Sequence, residues 1–185
     1  MSLLAIYPDN DPLQGERYSN YDAICQQLAA IGVQFERWAT IDGLAADADP
    51  ATVLAAYAEP LALLGGQYGF QSVDVISLSP EHPNKVELRQ KFLAEHTHDD
   101  FEVRFFVAGS ALFYLHVGAK VYTVLCEQGD LISVPAHTPH WFDMGENPYF
   151  VAIRVFTTAE GWLAQMTGST IAHSFPTYDE TVARL

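Results

Sequence analysis

The chain has 185 residues, 49% of them hydrophobic and 17% charged, the balance of a globular protein with a sizeable core and not of a disordered one. Its 23 acidic and 9 basic residues give a net charge of −14. That field repels phosphate backbones and anionic headgroups and argues against nucleic acid or membrane as a partner.

The opening Met-Ser-Leu-Leu-Ala-Ile-Tyr-Pro lacks a basic region followed by a long apolar one, so it does not read as a signal peptide. No apolar run approaches the ~20 residues that span a bilayer. A soluble cytoplasmic protein of one domain over 1–185 is expected. Residues 1–70 read as mixed and mostly helical. Ser19 or Asn20 caps a helix over 21–31 that stops at Gly32. Residues 33–38 alternate like a strand. Asp49 and Pro50 open a second helix over 51–58, which extends or restarts through 60–64 and ends at Gly65-Gly66. A strand is predicted over 73–78 and a short amphipathic helix over 84–93. Cys25 and Cys126 lie far apart in apolar stretches and read as buried free thiols, not as a disulfide scaffold.

Beyond residue 101 the pattern changes to short strands over 102–108, 111–117, 121–126, 131–134 and 149–157. Turn signals separate them at Gly109-Ser110, Gly118-Ala119, Gln128-Gly129-Asp130 and Gly145–Pro148. This spacing predicts an antiparallel sandwich or barrel. A short helix is expected over 158–166, and the tail to Leu185 reads as irregular and packed outside.

The chemistry concentrates in Glu95-His96-Thr97-His98-Asp99-Asp100-Phe101-Glu102 and in Val134-Pro135-Ala136-His137-Thr138-Pro139-His140. On extended chain His96 and His98 point the same way, and Glu102 and Arg104 share that parity provided 99–101 does not bulge. His140 joins them only through the tertiary fold. Three imidazoles and one carboxylate suit a first-row divalent metal, and four protein ligands on an octahedral ion leave two positions free. The lack of thiolates argues against structural zinc.

His96, His98, Glu102 and Gly109 stand at the spacing of the first cupin motif; Gly129, Pro135 and His140 resemble the second, with nineteen residues between Gly109 and Gly129. Three positions depart from that pattern: His137 and Gln90 stand where glycine is usual, and Met144 where asparagine is. The run 92–98, the run 102–107, Gly129–Pro135 and Ile153–Phe156 resemble the bacterial acireductone dioxygenases. The resemblance covers about 70–175 clearly and the N-terminal third more weakly. It implies a mainly β cupin fold, an antiparallel jelly-roll barrel with peripheral helices, around which the mixed α/β part of about 1–70 packs. It also implies one Fe(II) or Ni(II) per chain on His96, His98, Glu102 and His140. The implied substrate is an acireductone of methionine salvage. Iron yields 4-methylthio-2-oxobutanoate and formate, and nickel yields methylthiopropionate, formate and CO.

Arg104 is placed to neutralise an enediolate oxygen. Arg154 has the same potential, with a salt bridge as its competing reading. Glu95 is a candidate proton acceptor, although its parity is opposite to that of His96. His137 reads as a turn residue and His116 as a hydrogen-bonded strand residue. Phe92, Phe106, Phe142, Phe156 and Trp162 are candidates to line a pocket for the methylthio tail, and a monomer is the default. Two other readings stay open on the residues: a cupin oxygenase or isomerase for another enediol or diketone, and a non-catalytic metal-sensing cupin.

Overall fold

The computed structural model describes residues 1–41, 44, 48–160 and 163–185. Its elements are β1 (Leu3–Pro8), β2 (Glu16–Tyr18), α1 (Tyr21–Ala29), β3 (Gln34–Arg37), α2 (Pro50–Ala56), α3 (Ala58–Tyr68), β4 (Ser72–Leu78) and α4 (Lys85–Leu93), then β5 (His96–Thr97), β6 (Glu102–Val117), β7 (Lys120–Glu127), β8 (Asp130–Val134), β9 (His140–Asp143), β10 (Phe150–Phe156) and β11 (Gln165–Met166), and finally a short 3-10 turn and α5 (Tyr178–Val182).

The two strands expected over 102–108 and 111–117 are one. β6 runs for 16 residues and belongs to two antiparallel sheets. Its first half pairs with β8 and β10, its second half with β7 and β9. The turn signal at Gly109 marks the place where the strand changes sheets. There φ is +69°, and a Cβ would lie 1.8 Å from the Tyr149 carbonyl oxygen. Only glycine meets both demands.

Alternation along β6 then assigns each residue a layer. Phe106, Ala111, Phe113 and Leu115 enter the core between the sheets, with Leu4, Val124, Ile132 and Phe142. Val103, Phe105 and Val107 face outward beneath Val53 of α2, Tyr57 at the joint of the two helices, and Leu61 and Leu64 of α3. Leu112 and Tyr114 face outward on the other sheet, where Trp141 and Phe175 cover them.

The N-terminal third is less helical than its sequence implies. β1 is an inner strand, paired with β7 over six positions and with β2 on its other edge, and β3 pairs with β8. β1 is buried from Leu3 to Tyr7, so its apolar residues run without alternation and give no strand period.

The caps behave as expected at two helices. Asn20, not Ser19, accepts the Ala23 amide at 3.1 Å, and Asp49 accepts that of Thr52 at 3.0 Å. α3 runs through Gly65-Gly66 and stops instead at Gly69, where φ is +65° and the amide reaches the Gly65 carbonyl. The helix expected over 158–166 is absent among the described residues: 165–166 pair with β5 as β11, and Gly161 and Trp162 lie outside the described residues. Cys126 is buried and Cys25 only partly so.

Candidate metal centre and cavity

The site is built where β5, β6 and β9 meet. β5 and β9 place His96 opposite His140, and β6 sets Leu115 beside the same histidine. Between Thr97 and Glu102 the chain leaves the ladder. Asp100, buried there, holds the bend by accepting Thr157 Oγ1 at 2.5 Å and the Thr158 amide at 2.9 Å. The bend does not spoil the parity argument: His96, His98, Glu102, Arg104 and His140 all line one cavity of about 420 Å³.

The three imidazoles are held alike. Nδ1 of His96 donates to the Ala94 carbonyl at 2.7 Å, that of His98 to Leu163 at 2.9 Å, and that of His140 to Thr138 at 2.7 Å. A proton committed to Nδ1 leaves Nε2 with a free lone pair, the tautomer a metal ligand needs. One ligand atom from each histidine falls within 4.8 Å of the others. His140 Nε2 is buried with no hydrogen-bond partner among the described residues, a cost an incoming cation would remove. Glu102 Oε2 stands 3.5 Å from His98 Nε2 and 3.4 Å from His140 Nε2, so the donor set fits a divalent transition metal.

The electrostatics favour the same occupant. Burial, and then the nearby His140, push the His96 pKa down to about 4, keeping the ring neutral. Burial also lowers that of His98, but the hydrogen bond and charge of Glu102 outweigh it and raise it. For Glu102 burial is the largest influence and acts upward. The Arg104 charge and the proximity of His140 and His98 overcome it and hold the carboxyl well below the usual range. Glu102 is therefore a carboxylate.

Arg104 is 5% exposed. Its Nη2 donates to Glu102 Oε1, and its guanidinium lies 4.4 Å from the Phe142 centroid and 4.9 Å from that of Phe113. Nε and Nη1 have no partner among the described residues. Buried donors of a charged group are costly to leave unpaired, and Arg104, which lines the cavity, carries two of them.

Arg154 stands opposite Arg104 in the β6–β10 register and also lines the cavity. It is tied to Asp74 by two bonds of 2.9 and 2.6 Å. Its salt bridge and its place on the wall thus coexist.

Glu95 is placed elsewhere. Its buried carboxylate accepts from His116 Nδ1 at 2.9 Å and Thr167 Oγ1 at 2.5 Å, and it does not line the cavity. The expected contact with substrate gives way to a structural tie, as its opposite parity implied. His116 is the hydrogen-bonded strand residue expected. His137 is exposed, with φ of 60°, and its amide donates to the His98 carbonyl at 2.8 Å. The left-handed backbone explains why glycine is usual there.

Of the aromatic candidates, Phe92 and Phe142 line the cavity. Phe106 belongs to the core, and Phe156 packs on His98 with centroids 6.0 Å apart. Trp162 lies outside the described residues. Sequence reasoning missed Ile76, Leu88, Lys91, Phe113 and Met166, all of which line the cavity. The apolar side of the predicted helix over 84–93 was the available signal for Leu88; nothing local marked the others.

Fold and site together define a cupin with a three-histidine metal-binding site in its cavity. A model of the ARD/ARD′ family matches residues 16–164. The acireductone dioxygenase of Methylococcus capsulatus is 55% identical over 180 residues, covering 97% of each chain. That of Aquifex aeolicus is 53% identical over 182 residues, covering 98% of this chain and 99% of the other. A solved acireductone dioxygenase from Bacillus anthracis, with a cadmium ion in its active centre, superposes with a TM-score of 0.78 at 33% identity, covering 89% of this chain and 98% of that one. The chain belongs to the ARD/ARD′ family and is an enzyme of the dioxygenase class.

Proposed function

We propose that the chain cleaves the acireductone 1,2-dihydroxy-3-keto-5-methylthiopentene with O2, as a step of methionine salvage. The observation that carries this reading is the convergence, on one cavity, of three Nε2 lone pairs, the Glu102 carboxylate and the two unpartnered donors of Arg104. His96, His98, Glu102 and His140 would hold one Fe(II) or Ni(II) ion. When bound, that ion supplies Lewis acidity towards the enediol oxygens and the redox reach that O2 requires.

The protein's own groups do the rest. The backbone carbonyls of Ala94, Leu163 and Thr138 fix the three rings. Nε and Nη1 of Arg104 offer charge-assisted bonds to an ionised enediol oxygen, in a setting where burial strengthens them. Arg154, held in place by Asp74, adds positive potential on the adjoining strand. Ile76, Leu88, Phe92 and Phe142 form an apolar wall against which a thioether tail can lose water. Partly covered, the cavity orients the substrate and limits side reactions in water.

The test is oxygen uptake. Metal-free protein reloaded with Fe(II) should consume O2 with acireductone above the uncatalysed rate and release 4-methylthio-2-oxobutanoate and formate. Reloaded with Ni(II), it should release methylthiopropionate, formate and CO. Uptake no faster than the uncatalysed rate with either ion overturns the reading, and a His98→Ala variant that keeps its metal and activity refutes the ligand set. The same reading has the enzyme working as a monomer in the cytoplasm on small molecules alone. No helix among the described residues is long and apolar enough to cross a membrane.

A further inference from the structure

The cavity wall carries four formally charged side chains: Glu102, Arg104, Arg154 and Lys91. Three are balanced. Arg104 is paired with Glu102 inside the cavity, and Arg154 is paired with Asp74 behind it. Lys91 differs. It sits in the last turn of α4, one residue before Phe92, and is exposed at the mouth. It makes no ion pair or hydrogen bond among the described residues. Glu87, one turn earlier on α4, does not reach it. In a chain of net charge −14 with nine basic residues, a lysine on the wall of the functional cavity without an acidic partner is a local reversal of the molecule's field.

We propose that Lys91 is a substrate-binding residue whose ammonium attracts and holds the anionic form of the substrate in the cavity that Arg104 also lines. This rests on the reading of the site given above. The mechanism is electrostatic. An anion approaching the protein is repelled by the acidic surface, and a single uncompensated cation at the entrance offsets that repulsion where it matters. A lysine suits the place: a mobile point charge on a long stem follows a ligand that enters and leaves, without the fixed fork of an arginine. Arg104 supplies the fixed geometry deeper in.

The test uses the metal-loaded full chain with two readouts. In steady-state turnover, Lys91→Gln should lower kcat/KM by about 3- to 10-fold, the scale of one charge at a solvated rim, with the loss falling on KM. Lys91→Glu should lower it further, and Lys91→Arg should restore it, because charge rather than shape is at work. Calorimetric binding of oxalate, a two-oxygen dianion, to the Ni(II)-loaded protein should weaken in the same order. The proposal is overturned if Lys91→Gln and Lys91→Glu leave both kcat/KM and oxalate affinity as in the parent, or if Lys91→Arg is as impaired as Lys91→Gln. If the parent shows no turnover while oxalate binding follows the charge at position 91, Lys91 stands as an anion-binding residue and the assigned reaction fails.

Discussion

Each imidazole of the cluster is worked from behind by a main-chain carbonyl, and that arrangement does two jobs. It fixes the tautomer, and it helps to hold the ring against rotation. His96 shows the thermodynamic consequence. Its folded pKa, about 4, lies below the ~6.5 of an unfolded histidine, so the unfolded chain binds the extra proton first. The stability it contributes is present above about pH 6.5 and lost as pH falls towards 4, on the order of 3 kcal/mol for the metal-free protein. His98 is raised and acts in the opposite sense, its contribution being present at low pH and lost on raising the pH through its folded value. Urea midpoints of metal-free protein should therefore fall from pH 7 to pH 4, with a flatter profile in His96→Gln, and divalent-metal affinity should fall over the same window because protons compete for the same nitrogens. At the same scale Arg104→Gln should lower kcat/KM by about 100-fold, measured at saturating metal. Metal content must be measured alongside, because the substitution also removes the cation beside Glu102.

β6 is the element on which the site depends, and it was legible only in halves. Its two outward and inward registers follow the period of two, and that period put Glu102 and Arg104 on one face, as found. The continuity of the strand was hidden because glycine is both a turn signal and the residue that lets a strand bend sharply between sheets. Gly109 is the point of failure: Gly109→Ala sets a Cβ against the Tyr149 backbone and should destabilise the protein by at least about 3 kcal/mol, read as a fall in Tm. Gly118→Ala is the control, since its Cβ would meet nothing within 4 Å and only the positive φ would cost. The bend at Asp99–Asp100 is the one risk to parity that two consecutive aspartates announce. It leaves parity intact because Asp100 anchors it to Thr157 and Thr158, ties between distant segments that no local pattern encodes. β11 at 165–166 reads as helix in the sequence for a related reason: its strand pairing is to β5, almost seventy residues away, and a two-residue ladder has no period to detect.

Across the whole molecule, what the sequence could show was the clustering of His96, His98, Glu102 and His140 on one cavity and the β half. What it could not show was how the N-terminal third is used. β1 lies inside a sheet, and burial on both faces erased the alternation that would have announced it. The apolar wall of the cavity is likewise a product of assembly: Ile76 comes from β4, Leu88 and Phe92 from α4, Phe113 from β6 and Phe142 from β9. No single segment carries that pocket, whereas the candidate ligands come from two short motifs. On the proposed reading, the two-sheet frame and the cavity gather one cation and one small anion at a single point. The central claim, that the gathered molecule is an acireductone and its co-reactant O2, is tested most directly by turnover of the Fe(II)-loaded protein under ¹⁸O2 with mass spectrometry of the products. One labelled oxygen in formate and one in the carboxylate of the 2-oxo acid is the predicted result; label absent from either product would contradict it.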